Sequence, residues 1–148
     1  MKRVYLATSY TWKSWLVKVP VLGKMLNRIV MCVRYWRVTK CTAMLLKRNP
    51  EINIFSPITH SHHIPRWLPD RLNTHTFWLK LDFDWISVCN EMYVFMQPGW
   101  AESYGVNEEI DECRERGIPI RFITMDYKFI ADGDLMLDTL TESISHSS

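Results

Sequence analysis

Three groups of side chains in this sequence could do chemistry. Acids crowd into the stretch from Asp82 to Asp138, where Asp82 and Asp84 lie close together and Glu108, Glu109, Asp111, Glu112 and Glu115 form a second cluster. Ser103 and Gly105 stand just before that cluster, where a helix is expected to begin; exposed backbone N–H groups and a hydroxyl at such a point form a natural anion site. His60, His62 and His63 fall in a segment rich in His, Pro and Asn. Imidazoles are good zinc ligands, yet structural zinc usually wants four ligands at recurrent spacing, and no Cys or carboxylate pair accompanies these three, so no metal site is expected. On spacing alone each group also has an ordinary reading. Glu109 fits a first-turn helix acid favoured by the helix dipole, Asp82 a solvated helix acid beside Lys80 and Asp84, and Ser103 an N-cap.

Such groups act only if the chain holds them together. Val4-Tyr5-Leu6-Ala7 is a short run of β-formers, and Thr8-Ser9-Tyr10-Thr11 suits a turn at its carboxyl end. From Met25 to Arg48 apolar residues recur roughly at helical spacing until Asn49-Pro50, which predicts one long helix. Glu51 to Phe55 alternates into a second strand, and Ile58 to Thr74 reads as a loop over the active face. Phe77, Trp78, Leu81, Trp85, Ile86 and Cys89 share one face of a second helix, with a third strand at Met92 to Met96. An acidic third helix runs from the Ser103 region through Arg116 to a stop at Gly117, before a fourth strand at Ile118 to Ile123.

Strands alternating with helices predict an α/β fold, a three-layer, doubly wound, flavodoxin- or Rossmann-like parallel sheet of about four to five strands. Ligands of such sheets bind beyond the carboxyl ends of the strands, which brings together Thr8 to Thr11, Ser56 to Thr74 and Gln97 to Gly105. The domain is expected over residues 1–138, with 12–24 as an insertion or lid that fits neither helix nor strand period, and 139–148 as a flexible, Ser-rich tail.

Bulk composition narrows the class further. The 148 residues suit one domain, and 47% hydrophobic with 23% charged residues is ordinary for a globular protein. A net charge of +2 offers no broad electrostatic case for binding a nucleic-acid polymer. The imbalance is local: Lys2 to Arg48 carries many Lys and Arg and no Asp or Glu, which reads as a solvated face. Cys32, Cys41, Cys89 and Cys113 are widely spaced, as expected of reduced, buried thiols. The start is too weakly apolar for a signal peptide, and no stretch reaches the ~18 apolar residues of a membrane span, so a cytoplasmic protein without a membrane partner is expected.

Four collinear segments carry a family resemblance. Ser103-Tyr104-Gly105-Val106-Asn107-Glu108-Glu109 resembles the S-x-G-x-x-x-E signature of nucleoside 2-deoxyribosyltransferases and deoxynucleoside 5′-monophosphate N-glycosidases, whose last Glu is the nucleophile. Asp82 to Glu91 is similar to the helix-into-strand segment of that superfamily, in which an Asp before the strand serves in proton transfer. Tyr5 to Tyr10 resembles its opening strand and phosphate-side loop, and Ser56-Pro57-Ile58 with His60 and His62 is similar to a phage and bacterial branch of uncharacterised function.

The resemblance implies cleavage or exchange of an N-glycosidic bond on a nucleoside or nucleoside 5′-monophosphate, with Glu109 and Asp82 as catalytic residues. It further implies Tyr5, Ser9, Tyr10, His60, His62, Ser103 and Gly105 around the substrate, no cofactor, and a homo-oligomer. The chemistry fits: an ionised Glu109 would attack C1′ as in retaining glycosidases, and Asp82 would move the leaving-group proton. Trp67 and Trp100 are further candidates for stacking on a base. Asn90 stands where the superfamily usually has Asp, and the early loop lacks its usual glycines. Those departures support an alternative expectation, a non-catalytic nucleotide-binding or interaction module on the same fold.

Overall fold

The computed structural model describes residues 1–10 and 20–131. Five strands form one sheet in the order β2-β1-β3-β4-β5, from β1 (Lys2–Ala7), β2 (Ile52–Phe55), β3 (Glu91–Phe95), β4 (Ile120–Ile123) and β5 (Phe129–Ala131). The first four are parallel and β5 is antiparallel to β4. The helices are α1 (Pro20–Arg48), α2 (Pro57–Ser61), α3 (His75–Ile86) and α4 (Tyr104–Glu115), with a 3₁₀ turn at Ile64–Trp67. A mostly parallel five-strand sheet flanked by helices is the α/β architecture expected.

The central strands read as unbroken apolar runs because both of their faces are covered. Side chains alternate across a strand, so Val4 and Leu6 of β1 join Tyr93 and Phe95 of β3 in one core with Val38, Cys41 and Leu45 of α1. Tyr5 and Ala7 point the other way, with Met92 and Val94, into a second core that holds Ile86 of α3 and Val106, Ile110 and Cys113 of α4. This parity decides the site, because it sends Tyr5, the one polar-tipped side chain among the buried residues of β1, to the face shared by α3 and α4.

The chain leaves β1 for β2 on one side and returns to β3 on the other, which makes the gap beyond Ala7 and Phe95 a topological switch point. That gap is pinned by side chains. Thr8 Oγ1 donates to Phe95 O at 2.8 Å, and buried Gln97 donates from Nε2 to Thr8 Oγ1 at 3.0 Å.

Several sequence expectations need correction. Ile58 to Thr74 is not a plain loop: Pro57 and Pro65 fall in the first turns of α2 and of the 3₁₀ turn, where a missing N–H costs nothing. Residues 20–24 of the expected insertion belong to α1, whose start lies earlier than Met25; residues 12–19 and the tail 139–148 lie outside the described residues. The sheet also gains β5, hidden from periodicity because it is short and follows a tight turn in which Tyr127 takes φ 62°. Cys41 and Cys113 are buried, but Cys32 is exposed on α1. Gly117 ends α4 with φ 67°, as its position predicts.

Candidate active site

Two carboxyls, 27 positions apart in sequence, meet on the α3/α4 side of the sheet. Glu109 sits in the second turn of α4 and is 7% exposed. Asp82 comes from α3 and is partly buried. The fully buried Tyr5 donates its hydroxyl to Glu109 Oε1 at 2.7 Å. Both acids line a cavity of about 880 Å³ that opens beyond the carboxyl ends of the strands.

Their electrostatics follow from that placement. Burial pushes Glu109 up to about 8, helped by the negative charge of Asp82 and opposed by the Tyr5 hydroxyl. Asp82 is raised to about 7, again chiefly by burial, with the Tyr5 hydroxyl working against the shift. No cation figures among the groups that shift either acid. The pair therefore carries about one proton near neutral pH and titrates as a unit. Tyr5, driven well above its ordinary value by burial and by Glu109, stays a neutral donor. Its hydroxyl opposes the protonation of both acids, and Glu109 remains the higher of the two, so the form with Glu109 ionised and Asp82 protonated is the minor singly protonated one.

Of the other predicted residues, Tyr10, Ser103 and Gly105 line the same cavity. Ser103 occupies the N-cap position of α4 without making a side-chain cap bond, so its hydroxyl is not spent on the helix. Gly105 lies close to His75, whose Cε1 would be 3.9 Å from an added Cβ. His60 lines a second, smaller cavity. Ser9 is wholly buried with its hydroxyl unpaired, and it lines neither cavity. His62 also stays off both linings; its Nδ1 pairs with the Tyr10 hydroxyl and its ring stacks on Tyr35 at 4.3 Å. Trp67 is 87% exposed and Trp100 packs near Phe122, at 5.3 Å between ring centroids. Among the described residues, no group of three or more His, Cys, Asp or Glu could hold a metal ion.

Sequence reasoning missed Arg34 and Trp78. Arg34 projects from α1, is 5% exposed, donates to Pro98 O at 2.7 Å and lines the large cavity. Gly99 adjoins its guanidinium and takes φ 83°, a backbone conformation that favours glycine. A buried arginine against a cavity wall could hold an anionic group there. Its only sequence signal was a basic residue at a core position of a helix. Trp78 was read as part of the apolar face of α3, and it lines both cavities.

Residues 2–125 match the family described as a domain of unknown function, DUF1937. The chain belongs to the DUF1937 family. No curated protein matches it significantly. In this DUF1937 chain the matched span covers all four parallel strands and both catalytic candidates, and stops short of β5. Asn90, the departure from the deoxyribosyltransferase pattern, accepts from Arg3 N at 2.9 Å and donates its own N–H to Arg3 O at 2.8 Å. It thus fastens the amino ends of β1 and β3, away from the cavity at their carboxyl ends, and its exchange bears on strand pairing.

Proposed function

We propose that this protein cleaves or exchanges the N-glycosidic bond of a nucleoside or nucleoside 5′-monophosphate, with Glu109 as nucleophile and Asp82 as proton shuttle. The observation that carries the reading is the placement of buried Glu109 and partly buried Asp82 on one cavity at the switch point, both raised by desolvation, with Tyr5 bonded to Glu109. The resemblance of Ser103 to Glu109 to the S-x-G-x-x-x-E signature adds to it.

In the first step a Glu109 carboxylate oxygen bonds to C1′ while the bond from C1′ to the base nitrogen breaks, its electron pair leaving with the base. Asp82 gives its proton to the base, which departs neutral. Water then attacks C1′, releasing the Glu109 carboxylate and returning a proton to Asp82; a second base in place of water makes the reaction a transfer. Arg34, Ser103 and the N-terminal end of α4 lie on the same cavity and suit a 5′-phosphate.

The test is to incubate the purified protein with ribo- and deoxyribonucleosides and their 5′-monophosphates, and to follow free base by chromatography. Base release that disappears in Glu109→Ala is expected. No release, with or without an acceptor base, would replace this reading with the non-catalytic binding module.

A further inference from the structure

The second cavity, of about 180 Å³, adjoins the large one and shares with it Pro57, Ser61, Trp78 and Asp82. Its walls are mostly apolar, with Phe55 from the end of β2, Phe77, Leu81 and Trp85 from one face of α3, and Ile64 and Leu68 from the segment between. Phe55 and Trp85 stack at 4.1 Å and 15°. Leu81 is 40% and Trp85 45% exposed, so this part of the apolar face of α3 is left open around a cavity instead of being sealed into the core. Half-open aromatic surface at the rim of the core, beside a carboxyl, forms a binding surface for a flat ring.

Two of the hydrogen-bonding donors on this lining are committed elsewhere. Ser61 Oγ donates to Pro57 O at 2.6 Å, and the Trp78 indole N–H donates to Asn73 Oδ1 at 2.8 Å. Asp82, His60 and the indole N–H of Trp85 are the remaining polar groups of the lining. Such walls hold a neutral ring well and an anionic one badly, because an unpaired charge in apolar surroundings is expensive.

We infer that the aromatic side pocket receives the departing base, and that it recognises a neutral, planar nitrogen heterocycle by shape and stacking, with Asp82 at the border of the two cavities as its main polar contact. The inference rests on the glycosidase reading and adds to it a division of the substrate. The sugar and its 5′ group take the larger cavity with Glu109, and the base takes the aromatic one. A consequence is tolerance: an apolar pocket discriminates weakly between rings of one shape, whereas a site built on hydrogen bonds rejects the wrong pattern by about 10⁴-fold or more.

Binding of free adenine, hypoxanthine, cytosine and uracil to the full chain, by calorimetry, tests this without requiring turnover. Adenine and hypoxanthine should bind within about 100-fold of each other, as should cytosine and uracil. Leu81→Trp, which fills the pocket at a half-open position, should weaken adenine binding about tenfold or more, while Leu81→Ala, which leaves it open, should not. Equal effects of the two variants, selectivity near 10⁴-fold between amino and oxo partners, or no binding of any free base would overturn the inference. The two readings fail separately. Cleavage of nucleotides with base binding indifferent to Leu81→Trp removes only the pocket assignment, and base binding that responds to Leu81→Trp without any cleavage removes only the glycosidase.

Discussion

The carboxyl pair and the histidine cluster are two places where this chain takes ionisable groups partly out of water, and the surroundings differ. Glu109 and Asp82 are desolvated beside each other, with the Tyr5 hydroxyl as the shared donor, and they face an open cavity. His62 is lowered by burial and by the nearby charges of His63 and Arg66, and its ring is occupied on an edge by Tyr10 and on a face by Tyr35. Desolvation favours the neutral form in both cases. The acids are left with a proton to move and space for a reactant, whereas His62 spends its edge and face fastening the segment after α2 to α1 and to the loop after β1. Chemical competence here depends less on which residue is perturbed than on whether its polar atoms remain uncommitted.

Substitutions that break the carboxyl side of this contrast should have the largest effects. Glu109→Gln is expected to lower base release on the order of 10⁴-fold, read as single-turnover rates. The same variant should unfold at higher temperature than the native chain above pH 8. Glu109 is raised in the folded state from 4.5 to about 8, so the folded chain keeps a proton that the unfolded chain has lost, and native stability falls as pH rises through that window. A neutral Gln escapes that loss, and a melting temperature that does not depend on pH in the native chain would refute the shared-proton account.

Asp82→Asn should cost about 10²- to 10⁴-fold in rate. It also removes a negative charge that raises Glu109, so the acid limb of the rate profile should move to lower pH. In the native chain the profile should be a bell with its maximum between about pH 7 and 8, since both acids are protonated below and both ionised above. A profile flat across that range would count against the pair.

Tyr5→Phe should have an intermediate effect, roughly 10- to 100-fold in rate, the worth of one hydrogen bond to a charged group, with the acid limb displaced to higher pH. The histidine side should respond least in chemistry. His62→Ala is expected to leave the base-release rate within about tenfold while lowering stability by roughly 1–3 kcal/mol in denaturant unfolding, because Tyr10 loses its partner and Tyr35 its stacking neighbour. A larger loss of rate than of stability would move His62 into the site.

Much of this organisation was legible in the residues. Apolar runs such as Val4 to Ala7 and Met92 to Phe95 state that both faces of a strand are covered, and Gly117 marks the end of α4. The long helix was legible to within a few residues, since its periodicity survives a basic composition. The helical turns between Pro57 and Trp67 were not, because they are too short to show a period and their prolines read equally as loop residues. Nor was β5, whose pairing with β4 is a tertiary contact. Among candidate residues, Glu109 and Asp82 were visible through a motif, but nothing local separated them from Glu108 or Asp84, which share their composition and spacing.

The sequence by itself determined the alternation of strands and helices, the polar loops at one end of the sheet, and the presence of acids on α3 and α4, because these depend on local propensity and period. Tertiary structure decided which acids are taken out of water together. Strand parity turned Tyr5 toward α3 and α4, and the parallel pairing of β1 with β3 brought it within 2.7 Å of a carboxyl 104 residues away. Burial then raised Glu109 and Asp82 together. Desolvation and mutual repulsion depend on distance in space, and no spacing along the chain encodes them.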